Sequence, residues 1–322
     1  MSILSSFHAA TPPPVAVELA ANRVSAAAIE LRAGKAVVSA HASEPLPDGV
    51  LVPSLTGANI HDRAALIGAL GRVFDRLGGR PRRVGLVIPD PVAKVSLVRF
   101  EQVPARRQDL DQLVRWQVRK AAPFPVEDAQ VSYTPGFRGA DGQEFIVISA
   151  RRDAVREYEE VCSEVGSHPG IVDLATFNVV NAVLAGSRPP SGDWLLVNVT
   201  SDYASIAILR DEHLIFFRNR AADTEGTLAD LVHQTGMYYE DRLSGTGFSR
   251  VLLAGSAGGG LRQTAEVEQA RRSLEGRLTA SVETVDPRTA ASLTDRISVA
   301  PALLDTLAPL VGLLLRGQET VA

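Results

Sequence analysis

Between Val15 and Val38 the apolar positions fall into two short runs, VAVEL and VSAAAIEL, separated by the polar turn AANR and followed by a second turn at Gly34-Lys35. Short apolar runs bounded by turn residues predict a hairpin meander. From Leu66 the spacing changes. Leu66, Ala69, Leu70, Val73, Phe74 and Leu77 recur every three or four residues, which predicts a helix, and Gly78-Gly79 supplies a helix end. RVGLVIPD then forms an unbroken apolar run between Arg83 and the prolines Pro89 and Pro91, the pattern of a buried strand.

From Lys94 the pattern predicts a compact alternation: a strand KVSLVRF, a helix from about Arg106, a strand AQVSYTPGF, a polar turn, a strand EFIVISA and a helix from Asp153. That last helix carries Ala154, Val155, Tyr158, Val161, Cys162 and Val165 on one stripe and is amphipathic. GIVDLA and a helix through Val183 follow, then GSRPPSGD, the Pro/Gly/Ser composition of a boundary between domains.

Beyond that linker the opening pattern returns. VAVELAANRVSAAAIEL and LLVNVTSDYASIAILRD align without a gap at an offset of 180 residues, which sets Glu18 on Asn198, Ala20 on Thr200, Asn22 on Asp202 and Ser25 on Ser205. Equal spacing and equal turn position point to a duplication. HLIFFRNR, a helix from about Thr227 to Arg242, a buried strand RVLLAG, the glycine-rich SAGGG, a helix through Leu278 and a final apolar helix complete the second half. Two halves with matching hairpins predict two lobes facing a cleft.

Composition narrows the chemistry. With 322 residues, 45% of them hydrophobic, the chain can bury a large core. Lys and Arg total 33 against 37 Asp and Glu, a formal charge of -4, so no global field draws it to nucleic acid or an anionic membrane. The basic run Arg72, Arg76, Arg80, Arg82, Arg83 is interrupted by Asp75 and is expected to be a solvated helix end. Cys162 is the only cysteine, which excludes an internal disulfide and places a small core residue on an apolar stripe. The opening MSILSSFHAATPPP lacks a basic leader and is expected to be a disordered tail. APALLDTLAPLVGLLLRG is broken by Asp305, Pro309 and Gly312 and is expected to be a buried helix, not a membrane span.

Catalytic signatures are missing. The sequence holds no G-x-x-x-x-G-K-[ST], G-x-G-x-x-G or G-x-S-x-G, and its six histidines show no zinc-binding spacing, so each is expected to be solvated or satisfied. What remains, two hairpins facing a cleft and a later strand ending in a glycine turn, resembles the actin-like fold of sugar kinases, heat-shock ATPases and actin. That resemblance implies an α/β, two-lobed protein of duplicated RNase H-like halves. In such a fold each hairpin is a phosphate loop, an acidic strand end holds Mg²⁺, and the glycine turn packs on adenosine. Here the candidate nucleotide residues are Glu18, Asn22, Asn198, Thr200, Ser201, Asp202, Gly255, Ser256 and Gly258. Glu18 keeps the first carboxylate, but Ala20 stands where the first loop has glycine, and Asn198 and Thr200 replace the acid and glycine of the second. A Cβ in place of hydrogen blocks close backbone approach. The loops argue against efficient hydrolysis, and ATP with Mg²⁺ is the cofactor the fold implies.

The stretch LVRWQVRKAAPFPVEDAQVSY, with FIVISARRDAVREYEEVCSEVG and IVDLATFNVVNAV after it, is similar to the type IV pilus assembly protein PilM family. The ordered marks are Arg115-Trp116, Pro123-Phe124-Pro125, Ser149-Ala150-Arg151-Arg152 and Val172-Asp173. The resemblance runs from Val15 to Arg316 and implies a first lobe over residues 15–91 and 168–186, and a small α+β domain inserted at 92–167. A linker at 187–193, a second lobe at 194–300 and a helix at 301–316 returning to the first lobe complete the expected plan, after a tail at 1–14. It further implies a cytoplasmic scaffold, peripheral at the inner face of the membrane. Its expected partner is the short cytoplasmic N-terminal segment of a PilN-like membrane protein, held in a groove between the first lobe and the inserted domain, which couples the pilus platform to the assembly motor. Self-association is a further partner reading.

On the helix before Pro123, Leu110, Leu113, Val114, Val118 and Ala121 form one stripe and Trp116 lies on the opposite face, while Pro123 disfavours α conformation at Ala122. Trp116 reads either as packed under a neighbouring loop or, with Phe124, as a partner-binding surface. Tyr238 and Tyr239 read as packing. The rival to a scaffold is an active actin-fold ATPase or sugar kinase with diverged loops, against which Asn198 counts. A divisome component such as FtsA or the cytoplasmic part of GspL would add a terminal amphipathic or spanning helix, and the closing RGQETVA has neither pattern.

Overall fold

The computed structural model describes residues 13–222, 224–255, 261–277, 281–295 and 297–316; most of the expected tail and two candidate residues, Ser256 and Gly258, lie outside them. The meander forms as β1 (Val15–Ala20), β2 (Arg23–Arg32) and β3 (Lys35–Pro45). Its second turn centres on Ala33 and Gly34, at φ 50° and 77°, one residue earlier than the sequence suggests. Strand pairing continues to Arg32 opposite Lys35, which leaves two turn residues that must both take positive φ.

The helix α1 (Arg63–Leu77) starts at Asp62, whose carboxylate accepts from the Ala65 amide at 2.9 Å, and stops at Gly78 in the left-handed region. Then come β4 (Arg83–Ile88), β5 (Ala93–Phe100), α2 (Arg107–Ala121), β6 (Ala129–Gly139), β7 (Gly142–Arg151), α3 (Arg152–Glu164), β8 (His168–Leu174) and α4 (Ala175–Leu184). The second half holds β9 (Asp193–Val199), β10 (Tyr203–Arg210), β11 (His213–Ala221), α5 (Leu228–Leu243), β12 (Arg250–Ala254), α6 (Leu261–Arg277), β13 (Val282–Thr284), β14 (Ser292–Leu293) and α7 (Pro301–Leu315).

The duplication is visible in strand order. One sheet runs β14-β3-β2-β1-β4-β8 and the other β11-β10-β9-β12-β13. Apart from the added β14, each is an antiparallel meander whose first strand pairs in parallel with a fourth strand, which in turn pairs in parallel with a fifth. Registers agree as well, since Glu18 faces Ser25 and Asn198 faces Ser205. The architecture is the two-lobed α/β arrangement of an actin-like fold.

In a third, three-stranded sheet β5-β7-β6, α2 covers one face through Val114 and Val118 against Val98, Phe145 and Val147, while Val95, Leu97 and Ile146 join the large core of the first lobe. The helix α3 does not belong to that small core. Its stripe Ala154, Tyr158, Val161 and Cys162 is buried with α1 in the first lobe, so the inserted unit with a core of its own ends at about Arg151. The strand β11 of the second lobe lies against β5 and β6.

The last helix crosses back. Buried from Leu307 to Leu315, α7 packs on α4 and on β1, β2 and β4 of the first lobe. Gly312 permits this approach, because a Cβ there would stand 1.7 Å from the Asn178 carbonyl. Arg316 then bonds the buried Asp173 at 2.8 Å, anchoring the helix end to β8. No helix among the described residues is long and apolar enough to cross a membrane.

Candidate functional site

The ends of β1 and β9 lie at the bottom of the cleft between the lobes, and each presents a polar side chain there. On the first side the Glu18 carboxylate is 5% exposed and accepts from Arg23 Nη2 at 2.8 Å and from Ser25 Oγ at 3.1 Å. Arg23 is the cross-strand neighbour of Ala20 on the β1-β2 hairpin, which sets its guanidinium beside Glu18. Arg23 Nε is buried and meets no acceptor. His41 sits nearby on β3, and burial and the Arg23 charge push its imidazole down to about 4. The expectation of a solvated or satisfied histidine fails here and at His213, since His41 Nε2 and His213 Nδ1 are both buried without a hydrogen-bond partner.

On the second side the turn after β9 is closed on itself. The Thr200 amide donates to the Tyr203 carbonyl at 2.9 Å, and Thr200 Oγ1 accepts from the Tyr203 amide at 3.1 Å. Thr200 Oγ1 and Ser201 Oγ both donate to Asp202 at 3.2 Å, and burial raises the Asp202 carboxyl above its ordinary range. At the end of β12, Gly255 takes φ 75° and lies so near Val199 that a Cβ would stand 1.9 Å from that carbonyl oxygen. Its amide donates to Asp305 Oδ1 of α7 at 3.0 Å.

Beneath these turns a buried polar network joins the lobes. Asp90, in the single helical turn after β4, accepts from the amide and the hydroxyl of Thr176 and from the hydroxyl of Ser205 across the cleft. Asn198 Nδ2 donates to Thr176 Oγ1 at 2.8 Å, and Asn219 Nδ2 donates to Ser205 Oγ at 2.9 Å. Burial pushes the Asp90 carboxyl up to about 6 despite these donors. Apolar contact supports the junction, with the rings of Phe177 on α4 and Phe217 on β11 centred 5.2 Å apart.

The structure thus gathers Glu18, Asn22, Asn198, Thr200, Ser201 and Gly255 around one cavity of about 30 Å³. Sites for drug-sized ligands span roughly 300–1,000 Å³, so this space suits a water or two. Glu18 is neutralised by Arg23, the amides of Thr200 and Gly255 are already donating, and Asn198 carries no charge. No cluster of three metal-ligating side chains occurs among the described residues. As they stand here, these groups do not fit a nucleotide and its metal.

A larger opening lies at the inserted unit. A groove of about 580 Å³ runs between Thr56 of the first lobe and Phe124, which is flanked by Pro123 and Pro125, with Arg151, Arg152 and Arg156 on its wall. Pro123 ends α2, leaving Ala122 extended, and this projects the Pro-Phe-Pro turn. Arg151 is held by Asp153 and by the carbonyls of Thr56 and Gly57, so the wall is fixed to the first lobe. Trp116 is not among the lining residues. It is 54% exposed on the outer face of α2, with Lys120 Nζ 3.3 Å from its ring centroid. The two aromatics paired in the sequence reading therefore occupy different surfaces. Tyr239 is buried as expected, whereas Tyr238 is half-exposed against Phe216.

Sequence reasoning missed Asp90, Asp305 and Arg23. In the sequence, Asp90 between two prolines marks only a strand end, and Asp305 only a break in an apolar run. Arg23 falls within the turn AANR, although its place two strand positions before Ser25 puts it on the Glu18 face.

The family model described as type IV pilus assembly protein PilM matches residues 16–244. Among solved structures, the chain is similar to one described as a PilM-PilN type IV pilus biogenesis complex. The TM-score is 0.77 and the identity 17%, over 96% of this chain and 99% of that one. It is also similar to a Bacteroides thetaiotaomicron protein with actin-like ATPase fold and unknown function, at TM-score 0.50 and 11% identity, over 93% and 98% of the two chains. The ethanolamine utilization protein EutJ from Carboxydothermus hydrogenoformans gives TM-score 0.50 and 11% identity, over 95% and 91%. No curated protein matches the chain.

Proposed function

The chain belongs to the type IV pilus assembly protein PilM family, and from that premise we propose that it is a cytoplasmic scaffold that docks the N-terminal segment of a PilN-like inner-membrane protein. The observation carrying this reading is the groove beside Phe124. It is large enough for an extended peptide, bounded by both the first lobe and the inserted unit, and pairs an apolar anchor with a charged wall of Arg151, Arg152 and Arg156 interleaved with Asp128 and Asp153. An apolar residue of the segment would sit on Phe124 and the Pro123 and Pro125 rings, with acidic or carbonyl groups toward Arg152 and Arg156. Docking there engages two bodies at once and so links the partner to the relative position of the inserted unit.

The test is titration of the synthetic cytoplasmic segment of the cognate PilN-like protein into the full chain. Phe124→Ala should weaken binding at least about tenfold, the loss of roughly 1.4 kcal/mol at an anchor, and Trp116→Ala should leave it unchanged. Equal binding by the Phe124 variant would overturn the placement.

ATP and Mg²⁺ form a second reading, favoured by the carboxylate of Glu18 at the end of β1. It requires the lobes to part and the cleft's internal bonds to open. Calorimetry with magnesium ATP separates the two readings of the cleft.

A further inference from the structure

The cleft already contains opposite charges in the places a bound ligand would use. A backbone amide at the end of β12 points into it, and the carboxylate of Asp305 takes that amide at 3.0 Å. The glycine there is fixed by Val199, so the amide has one direction only. Asp305 reaches this position because α7 is pinned twice on the C-terminal side of it. Gly312 seats the helix on α4, and Arg316 bonds Asp173 beyond it. Pro309, four residues on, has no N–H to return to the Asp305 carbonyl, which frees that turn from the regular helical ladder. Across the cavity Arg23 supplies the cation that Glu18 would otherwise take from a metal, at 2.8 Å. Asp305, Thr306, Arg23, Glu18 and Gly255 all line the same space of about 30 Å³.

We infer that Asp305 is a built-in occupant of this cleft: its carboxylate holds the Gly255 amide, Arg23 neutralises Glu18, and the two lobes are kept closed by the chain's own side chains without a nucleotide. Closure in two-lobed proteins of this kind needs a group that contacts both lobes. Here α7 belongs to the first lobe by its packing and touches the second through Asp305, so the helix serves as the crosspiece. The disagreement between the fold and its cleft residues follows. A turn whose amides are internally satisfied, and a carboxylate with an internal counter-ion, need no ligand to be stable.

This inference is independent of docking at the Phe124 groove and is tested on the full chain by hydrogen exchange and by calorimetry with magnesium ATP. Asp305→Ala should raise exchange of the amides around Val199–Tyr203 and Val251–Gly255 at least about tenfold, equivalent to roughly 1.4 kcal/mol of lost closure. Asp305→Asn, which keeps an acceptor oxygen, should fall between, and Lys35→Gln, on an exposed position of β3 outside the cleft, should change nothing. Wild-type protein should give no binding heat with magnesium ATP at micromolar concentrations. Unchanged exchange in Asp305→Ala overturns the inference, and so does micromolar ATP binding by the wild type. If Asp305→Ala does not fold, the comparison of Asp305→Asn with Lys35→Gln decides by the same readout. Failure of peptide binding on an intact cleft would count against the docking reading alone.

Discussion

The Asn198 side-chain amide donates to the hydroxyl of Thr176 at 2.8 Å, across the floor of the cleft. Thr176 Oγ1 in turn donates a hydrogen bond to Asp90, so the hydroxyl accepts from one lobe and donates within the other. A residue that reads, from its position, as a lost metal ligand is in the structure a donor that ties β9 to α4. Its neutrality is the property the network uses, because the neighbouring acceptor is already a carboxylate.

Asn198→Asp should therefore destabilise the fold without creating a metal site. The new carboxylate and Asp90 would compete for one hydroxyl proton in a buried place, a loss of about 3 kcal/mol by the usual cost of an unpaired buried acceptor. Urea unfolding checks this. The deficit should shrink from pH 8 to pH 5 as the introduced acid takes up a proton, and added magnesium should not restore it.

Asp90 gives the closed form its own pH dependence. Burial lifts its carboxyl to about 6, with Asp173 adding repulsion, while an unfolded aspartate titrates near ~3.9. Between these values the folded chain holds a proton that the unfolded chain has released, so this contribution weakens as pH rises through about 4 to 6. Above that window the penalty of the buried charge is complete, at roughly 3 kcal/mol. Asp90→Asn should remove the dependence. Comparing unfolding at pH 5 and pH 7, wild type should lose roughly 1 kcal/mol more than the variant.

How far the sequence foretold this depended on whether a feature was local. Strand runs, helix stripes and the 180-residue offset were legible because periodicity and turn residues are local signals, and the matched registers at Glu18 and Asn198 follow from them. The candidate loop residues could be located for the same reason. Their partners could not, since Asp90 meets Ser205 and Gly255 meets Asp305 only after crossovers that no window spans. The placement of α3 shows another limit. An amphipathic stripe states that a helix packs, not which of two adjacent cores it enters. Trp116 was ambiguous for a related reason, because an aromatic on a polar face is buried or exposed according to what covers it.

Cys162 should behave as a reporter of the first-lobe core and not as a reactive thiol. It is fully buried on α3, and burial with a smaller push from Glu159 raises the thiol to about 12. At neutral pH almost none is thiolate, and no probe can reach it without opening of the helix. Labelling with an aromatic disulfide should be slow in the native chain and become fast across the same urea range as unfolding. Rapid native labelling would show that α3 leaves the α1 surface far more readily than its packing indicates.

The bond between Arg316 and Asp173 should matter more to the cleft than its distance from it suggests. Both side chains are largely withdrawn from water, and burial raises the Asp173 carboxyl even with the guanidinium 2.8 Å away. Arg316→Ala leaves that carboxylate buried without its counter-ion, a change that costs about 3–5 kcal/mol in comparable pairs. Asp173→Asn combined with Arg316→Met should cost less, because no charge is then stranded. The Arg316→Ala deficit should also narrow as pH falls, since protonation of Asp173 removes the stranded charge. Because α7 carries Asp305 on the same rigid segment, loosening its end should raise exchange at Gly255 in Arg316→Ala but not in the double variant. A melting-point loss with no change in exchange at that strand end would mean that Asp305 keeps its place without the anchor, held by the packing of Gly312 on α4.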